Sequence, residues 1–200
     1  MEAAARSSGM TQASVRSRNL ALVFGEVLAR TGQVSRADIA GRLGMTRSTV
    51  SRLVDDLILG QLVQEGEAVG GARGRPAVPL NVRAGTVVAL GLEVNVERMV
   101  SSLVDLTGEV FTQHRLDRNI AELSMEEAMA HLSDLARQTL ADVPDGVRIA
   151  GAVLAFPGLI DRDGQHILRS PNLGWEGDEP SIHWDVTFDE RPLPLLVRND

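Results

Sequence analysis

Neither cysteine nor lysine occurs among the 200 residues, and aromatic side chains make up only 3%. Without thiols, disulfides and thiolate metal sites are excluded within these residues, and a reducing compartment is the consistent setting. With so few rings, valine, leucine, isoleucine and alanine must fill any interior, and a hydrophobic content of 44% suffices for that. No stretch approaches the roughly 18 consecutive apolar residues of a membrane span. Residues 1–14 lack the apolar run of a secretory signal; being small and polar, they read as a disordered tail. The expectation is a cytoplasmic protein with no membrane partner.

The net charge of −7 alone disfavours a nucleic-acid partner, but its distribution reverses the argument. Residues 1–83 hold 11 Arg against 7 Asp and Glu, a net of +4, whereas residues 84–200 hold 9 Arg against 20 Asp and Glu, a net of −11. A basic front and an acidic rear suggest a DNA-facing module joined to one that is not. The competing reading is chance compounded by genomic base composition.

Residues 15–83 read as three helices and a β-ribbon. Leu20, Val23, Phe24, Val27 and Leu28 fit one face of a helix over 15–30, with Gly32 as its stop. Ser35 and Asp38 make a capping-box pattern for a short second helix that buries Ile39, Ala40 and Leu43. Gly44 and Met45 form a turn. Thr46 caps a third helix to about Leu59, with Val50, Leu53, Val54 and Leu57 inward and Gly60 at its end. Strand candidates at 62–68 and 78–82 flank Val69 to Ala77, a hairpin tip or wing. This is the spacing of a winged helix-turn-helix. Ser35 and Thr46 at the helix starts, with Arg47, Ser48, Thr49, Ser51 and Arg52 along the third helix, are the candidate DNA contacts, since short hydroxyls and guanidinium forks suit a major groove. Helix pairs of this kind also serve as plain packing units or protein interfaces; the polar outer face and the wing favour DNA. In the wing, Arg73 and Arg75 flank Gly74. The Arg-Gly-Arg-Pro core resembles that of AT-hook peptides, which enter A/T-rich minor grooves; a basic hairpin tip touching phosphates is an equal alternative.

Beyond residue 83 the period changes. Strands are expected over 86–94 (apolar throughout and buried on both faces), 98–106, 109–116, 147–156 and 193–197. A helix over 124–140 carries a Ser124/Glu127 capping box, and 165–177 reads as a loop. The order β-β-β-α-β, loop, β implies a mixed sheet in an α/β domain.

Three stretches of this rear segment resemble the ROK family of repressors and sugar kinases. Ala150 to Asp161, with its Pro157-Gly158, is similar to that family's strand ending in Pro-Gly and an acidic turn. Ser170 to Gly177 is similar to its sugar-site loop, and Leu195 to Asp200 to the strand leading into its Asn-Asp pair, with Arg198 where an acid usually stands. The resemblance implies an actin-like, ribonuclease H-like sugar-kinase-like domain behind the winged helix-turn-helix, incomplete at its C-terminus. The implied organisation is a tail over 1–14, a DNA-binding domain over 15–83 and the N-terminal lobe of the effector domain over 84–200. It implies sugar contacts at Gly158, Asn172, Asn199 and Asp200, and a regulator, a repressor of carbohydrate-utilisation genes, that binds double-stranded DNA and responds to a sugar. A helix-turn-helix needs a partner copy to read a palindromic operator, so a homodimer or higher homo-oligomer is expected. The family's zinc site belongs to a continuation past Asp200, so no cofactor is expected within these residues.

Two alternatives stand beside this. A sugar kinase with an appended DNA module is disfavoured because the turn from Glu93 to Glu97 lacks the glycines that cradle a phosphate and adds a second carboxylate; the expectation is no enzyme activity. A DNA-binding protein whose rear module only dimerises is the other. His114, His131, His166 and His183 show no metal-ligand spacing, Asp161 and Asp163 read as a turn rather than a calcium loop, and Trp175 and Trp184 read as packing residues.

Overall fold

The computed structural model describes residues 12–68, 77–162 and 166–199, and the chain divides into two units, residues 1–83 and 84–200. In the first unit, helix α1 (Gln12–Ala29) starts three residues before the expected position, since nothing between Gln12 and Val15 interrupts a helix. Residues 1–11, most of the expected tail, lie outside the described residues. Of α1's apolar face, Val23 and Val27 are fully buried, but Leu28 is exposed. One further residue turns the helix by about 100°, which carries Leu28 off the face centred on Val27.

Helix α2 (Arg36–Leu43) and helix α3 (Arg47–Leu59) pack on each other and on α1. The Ser35 capping box forms: the Ser35 hydroxyl accepts from the Asp38 N–H, and the Asp38 carboxylate accepts from the Ser35 N–H. Gly44 ends α2 at φ +64°, a left-handed conformation that leaves room for an abrupt turn into Thr46. Ala40, buried, keeps the helix pair close. Strands β1 (Val63–Glu65) and β2 (Leu80–Val82) pair antiparallel, Val63 opposite Val82, and Val34 bridges to Leu80. Both are shorter than their apolar runs. Pro79 has no N–H for a ladder, so β2 begins only after it. The wing arginines Arg73 and Arg75 lie outside the described residues.

The second unit is a mixed sheet with one long helix. Strands β3 (Val87–Val94), β4 (Arg98–Asp105) and β5 (Val110–Asp117) form an antiparallel meander. Helix α4 (Met125–Leu140), opened by the Ser124/Glu127 capping box, then crosses to β6 (Arg148–Phe156), which lies parallel to β3. Short hairpins follow, β7 (Leu159–Ile160) with β8 (Ile167–Arg169), and β9 (Thr187–Phe188) with β10 (Arg191–Pro192). Strand β11 (Leu195–Asn199) closes the sheet parallel to β6, in the order β11-β6-β3-β4-β5. This is the mixed-sheet topology expected from the sequence.

The core lies between the sheet and α4. Val88, Leu90, Leu92 and Val94 of β3 meet Met129, Leu132 and Ala136 of α4, with Leu154 and Phe156 of β6 completing the layer. Two expectations need correcting. Strand β3 is not buried equally on both faces: Ala89, Gly91 and Glu93 are half-buried, because α4 covers only the face bearing the alternate residues. And the stretch 165–177 is not all loop, since β8 occupies three of its residues. Ile167 is fully buried opposite Ile160. A three-residue strand shows no readable alternation. Asn199 stands opposite Phe156, so the C-terminal ends of two parallel strands come side by side, the usual position for a ligand in such sheets.

Candidate nucleic-acid interface and small-molecule site

The outward face of α3 is built by its cap. Thr46 Oγ1 accepts from the Thr49 N–H (3.2 Å) and shares hydrogen bonds with the hydroxyls of Ser48 (3.0 Å) and Thr49 (2.8 Å). Val50, Leu53, Val54 and Leu57 anchor the opposite side. Arg47, Ser48 and Arg52 are exposed; Thr49 and Ser51 are half-buried. The hydroxyls of Ser35 and Thr46 already serve the helix caps, so their contribution is to fix the starts of α2 and α3.

Sequence reasoning missed how the acids of α3 are neutralised. Arg36 of α2 donates to the Ser51 carbonyl (2.9 Å), the Asp55 carboxylate (2.7 Å) and Glu65 of β1 (3.1 Å), tying three elements together. Arg16 of α1 pairs with Asp56 at 2.6 Å. Both carboxylates that would repel a phosphate backbone are thus occupied. Among the described residues, Arg47 and Arg52 have no carboxylate partner. The only signal in the sequence was an arginine spaced far from its acids, which no local pattern reveals. Asp38, at the start of α2, has its carboxyl held below the usual aspartate range by the Ser35 hydroxyl and N–H, with Arg42 adding to this.

In the second unit the structure joins Gly158 and Asn199: the Asn199 side-chain N–H donates to the Gly158 carbonyl. Ser170, fully buried, donates from its hydroxyl to the Pro157 carbonyl (2.8 Å) and so holds the 170–175 turn against the same spot. Asn172 is exposed on that turn. Asp200 lies outside the described residues. A pocket of about 360 Å³ beside Asn199 is lined by Leu159, Ile160, Asp161, Arg162, Val197 and Arg198. Asp161 accepts from the His166 N–H (3.1 Å) and meets its ring at 3.0 Å, closing the β7–β8 hairpin. Trp175 stacks on Phe156 at 5.4 Å between ring centres, and its indole N–H donates to the Leu123 carbonyl (3.1 Å). It packs the wall behind the site.

The turn after β3 is filled by side chains. Glu93 accepts from Asn95 (3.0 Å) and Arg98 (3.1 Å), while Asn95 accepts from the N–H groups of Glu97 (2.9 Å) and Arg98 (3.0 Å). Among the described residues no group of three or more His, Cys, Asp or Glu is placed to hold a metal ion, and no helix is long and apolar enough to cross a membrane.

No family model matches the sequence. The chain is 31% identical over 195 residues to the xylose repressor of Bacillus spizizenii, covering 94% of this chain and 48% of that protein. It is 32% identical over 163 residues to a transcriptional regulator of Mycobacterium tuberculosis, covering 78% of this chain and 35% of that protein. The chain therefore spans about half the length, or less, of these curated relatives. Its fold is shared with a crystal structure of a ROK family transcriptional regulator described as a homologue of the E. coli MLC protein, at 20% identity and a TM-score of 0.66, over 93% of this chain and 46% of that one. Sequence similarity to these relatives and a fold shared with a ROK family structure agree with the resemblance read from residues 150–161, 170–177 and 195–200.

Proposed function

We propose that the chain carries the DNA-reading domain, a winged helix-turn-helix over residues 15–83, and the first lobe of the effector domain of a sugar-responsive repressor. The observation that carries this is α3: Arg47, Ser48 and Arg52 face solvent with no carboxylate partner among the described residues, while Asp55 and Asp56 are neutralised by Arg36 and Arg16. A helix so prepared offers guanidinium forks to base edges and no uncompensated acid to phosphates. Arg73 and Arg75 of the wing supply the minor-groove or phosphate contacts in this reading. Two copies are needed to read a palindrome, so the working form is a homodimer. Ligand in the rear domain shifts the population between spacings of the two reading helices. Gly158, Asn172, Asn199 and Asp200 form the sugar contacts. Relatives named xylose repressor support the sugar class.

The test selects duplexes from a random pool and measures affinity by fluorescence anisotropy. Arg52→Ala is expected to weaken the selected site by about tenfold and relax base preference at one position, at roughly 1–3 kcal/mol per bidentate contact. Arg73→Ala is expected mainly to flatten the salt dependence. Equal affinity and equal selectivity in all three proteins would refute the groove assignment.

The kinase reading is disfavoured by the filled turn: Glu93, Asn95 and Arg98 bond one another where a phosphate cradle would require bare backbone N–H groups. Coupled ATP turnover on hexoses and pentoses checks it, with no turnover expected.

A further inference from the structure

Helix α3 stands between two clefts. Helical spacing puts Thr49 and Arg52 on one flank, Arg47 and Ser51 on the other, and Ser48 between them. The Arg47 flank opens on a cleft of about 640 Å³ that reaches α2 and contains Glu65. The Arg52 flank opens on a cleft of about 490 Å³ whose far wall is α1, a helix outside the helix-turn-helix pair. That wall offers Gln12, Val15, Arg16 and Asn19, none of which the sequence pattern singles out for DNA contact. The chain holds 27 Asp and Glu, yet none lines this cleft. The cleft beside Asn199 carries Asp161, that along the β9–β10 hairpin Asp189, and that beside α4 Glu126, Asp134 and Asp185. Arg16 gives one N–H to Asp56, at 2.6 Å, and its side chain is still 64% exposed, leaving further donors on its guanidinium fork.

We propose that the cleft between α1 and α3 seats one sugar–phosphate strand of the duplex. Gln12, Arg16 and Asn19 donate to phosphate oxygens, and Val15, 37% exposed, rests on deoxyribose carbons. The inference rests on the DNA reading of α3 given above and adds a second element, α1, that grips the backbone. A major groove is about 12 Å wide, and a helix with its side chains is about 10–12 Å across. A helix inserted there therefore has a phosphate strand along each flank. Phosphate oxygens are acceptors that carry the negative charge, so amides and a guanidinium in an acid-free cleft match them. Contacts of this kind fix register and orientation on the duplex and carry no sequence information. That separates the role of α1 from that of Arg52 across the same cleft.

The experiment measures the affinity of the 200-residue chain by fluorescence anisotropy, over a range of salt, for a duplex selected from a random pool and for a scrambled duplex of equal length. Asn19→Asp places a carboxylate in the cleft at nearly constant shape. Ala21→Asp, exposed on another face of α1, adds the same charge outside it. Asn19→Asp is expected to weaken both duplexes about tenfold, to leave the ratio between them unchanged, and to reduce the salt slope by about one. Ala21→Asp is expected to change either affinity by less than about twofold. Arg16→Gln combined with Asp56→Asn, which leaves the net charge unaltered, is expected to weaken both duplexes about fivefold, again at a constant ratio. Melting followed by circular dichroism is expected to be unchanged in all three variants. Asn19→Asp matching Ala21→Asp, with the double variant binding like the wild type, would overturn the backbone cleft and leave the DNA reading of α3 standing. A shifted ratio between the duplexes would also overturn it, by assigning α1 to base readout. No binding of either duplex by the wild type would end both.

Discussion

Replacing Asp105 with alanine is expected to destabilise the second unit by about 3 kcal/mol. The carboxylate is buried and accepts four hydrogen bonds. Oδ1 takes the Thr107 N–H (2.7 Å), the Thr107 hydroxyl and the Glu109 N–H (3.1 Å), and Oδ2 takes the Gly85 N–H (3.2 Å). It therefore fastens the turn between β4 and β5 to the entry of β3. A hydrogen bond to a charged group contributes about 1.5–3 kcal/mol; Gly85, Thr107 and Glu109 are exposed, so water replaces part of what is lost. Both tryptophans, Trp175 and Trp184, lie in residues 84–200, so their fluorescence in urea reports this unit. A midpoint within error of the wild type would show that Asp105 is dispensable.

The same residue sets a pH dependence. Burial raises the Asp105 pKa, but the Thr107 hydroxyl and the three N–H donors outweigh it and hold the group below its ordinary value of 3.8. With the folded pKa depressed, the unfolded chain binds the proton first as pH falls. Stability is therefore complete above the ordinary value and is lost as pH drops through the folded one, by up to about 1.4 kcal/mol per pH unit for one proton. Glu127, bonded by the Ser124 N–H and hydroxyl, and Asp142, bonded by His114 and Thr112, are shifted in the same direction and steepen the same acid limb. In Asp105→Asn the limb is expected to be shallower by one proton's worth. An unchanged slope would assign the acid sensitivity to Glu127 and Asp142 alone.

How much of this was readable in the sequence follows from the range of each interaction. Caps are local, so Ser35 with Asp38 and Ser124 with Glu127 were legible from three-residue spacing and appear as full capping boxes. The strands β3, β4, β5 and β6 are long enough, at eight or nine residues, for burial to leave a period. Strand β8, at three residues, is not, and its existence depends on Ile167 meeting Ile160 across the hairpin. The outward face of α3 was legible as a row of hydroxyls and arginines. Its electrostatic preparation was not, because Arg36 reaches Asp55 and Glu65 across 19 and 29 residues. At the small-molecule site the resemblance pointed to Gly158 and Asn199, and the hydrogen bond between them spans 41 residues. The role of Ser170 in holding the neighbouring turn had no sequence signature.

That role makes Gly158 the most sensitive position of the site. Gly158→Ala is expected to cost about 2 kcal/mol and, on the proposed sugar contacts, to abolish sugar binding together. A Cβ there would lie 2.7 Å from the Phe156 ring, 2.8 Å from the Arg169 carbonyl oxygen and 3.1 Å from the Ser170 Cβ. The Arg169 carbonyl is backbone at the end of β8, and the Phe156 ring is fully buried and stacked on Trp175, so neither yields without loss. Relief requires the 170–175 turn to move outward, which lengthens the Ser170 bond to the Pro157 carbonyl and loosens the ring stack. Movement of Gly158 instead displaces the carbonyl that orients Asn199. Either way the Asn199 amide loses its position while α4 and the rest of the sheet remain. The expected signature is a lowered urea midpoint, red-shifted tryptophan emission from Trp175, loss of the titration heat that xylose or another sugar gives with the wild type, and unchanged DNA affinity of the first unit. Retained sugar binding in Gly158→Ala would show that the ligand sits elsewhere than the Gly158–Asn199 junction.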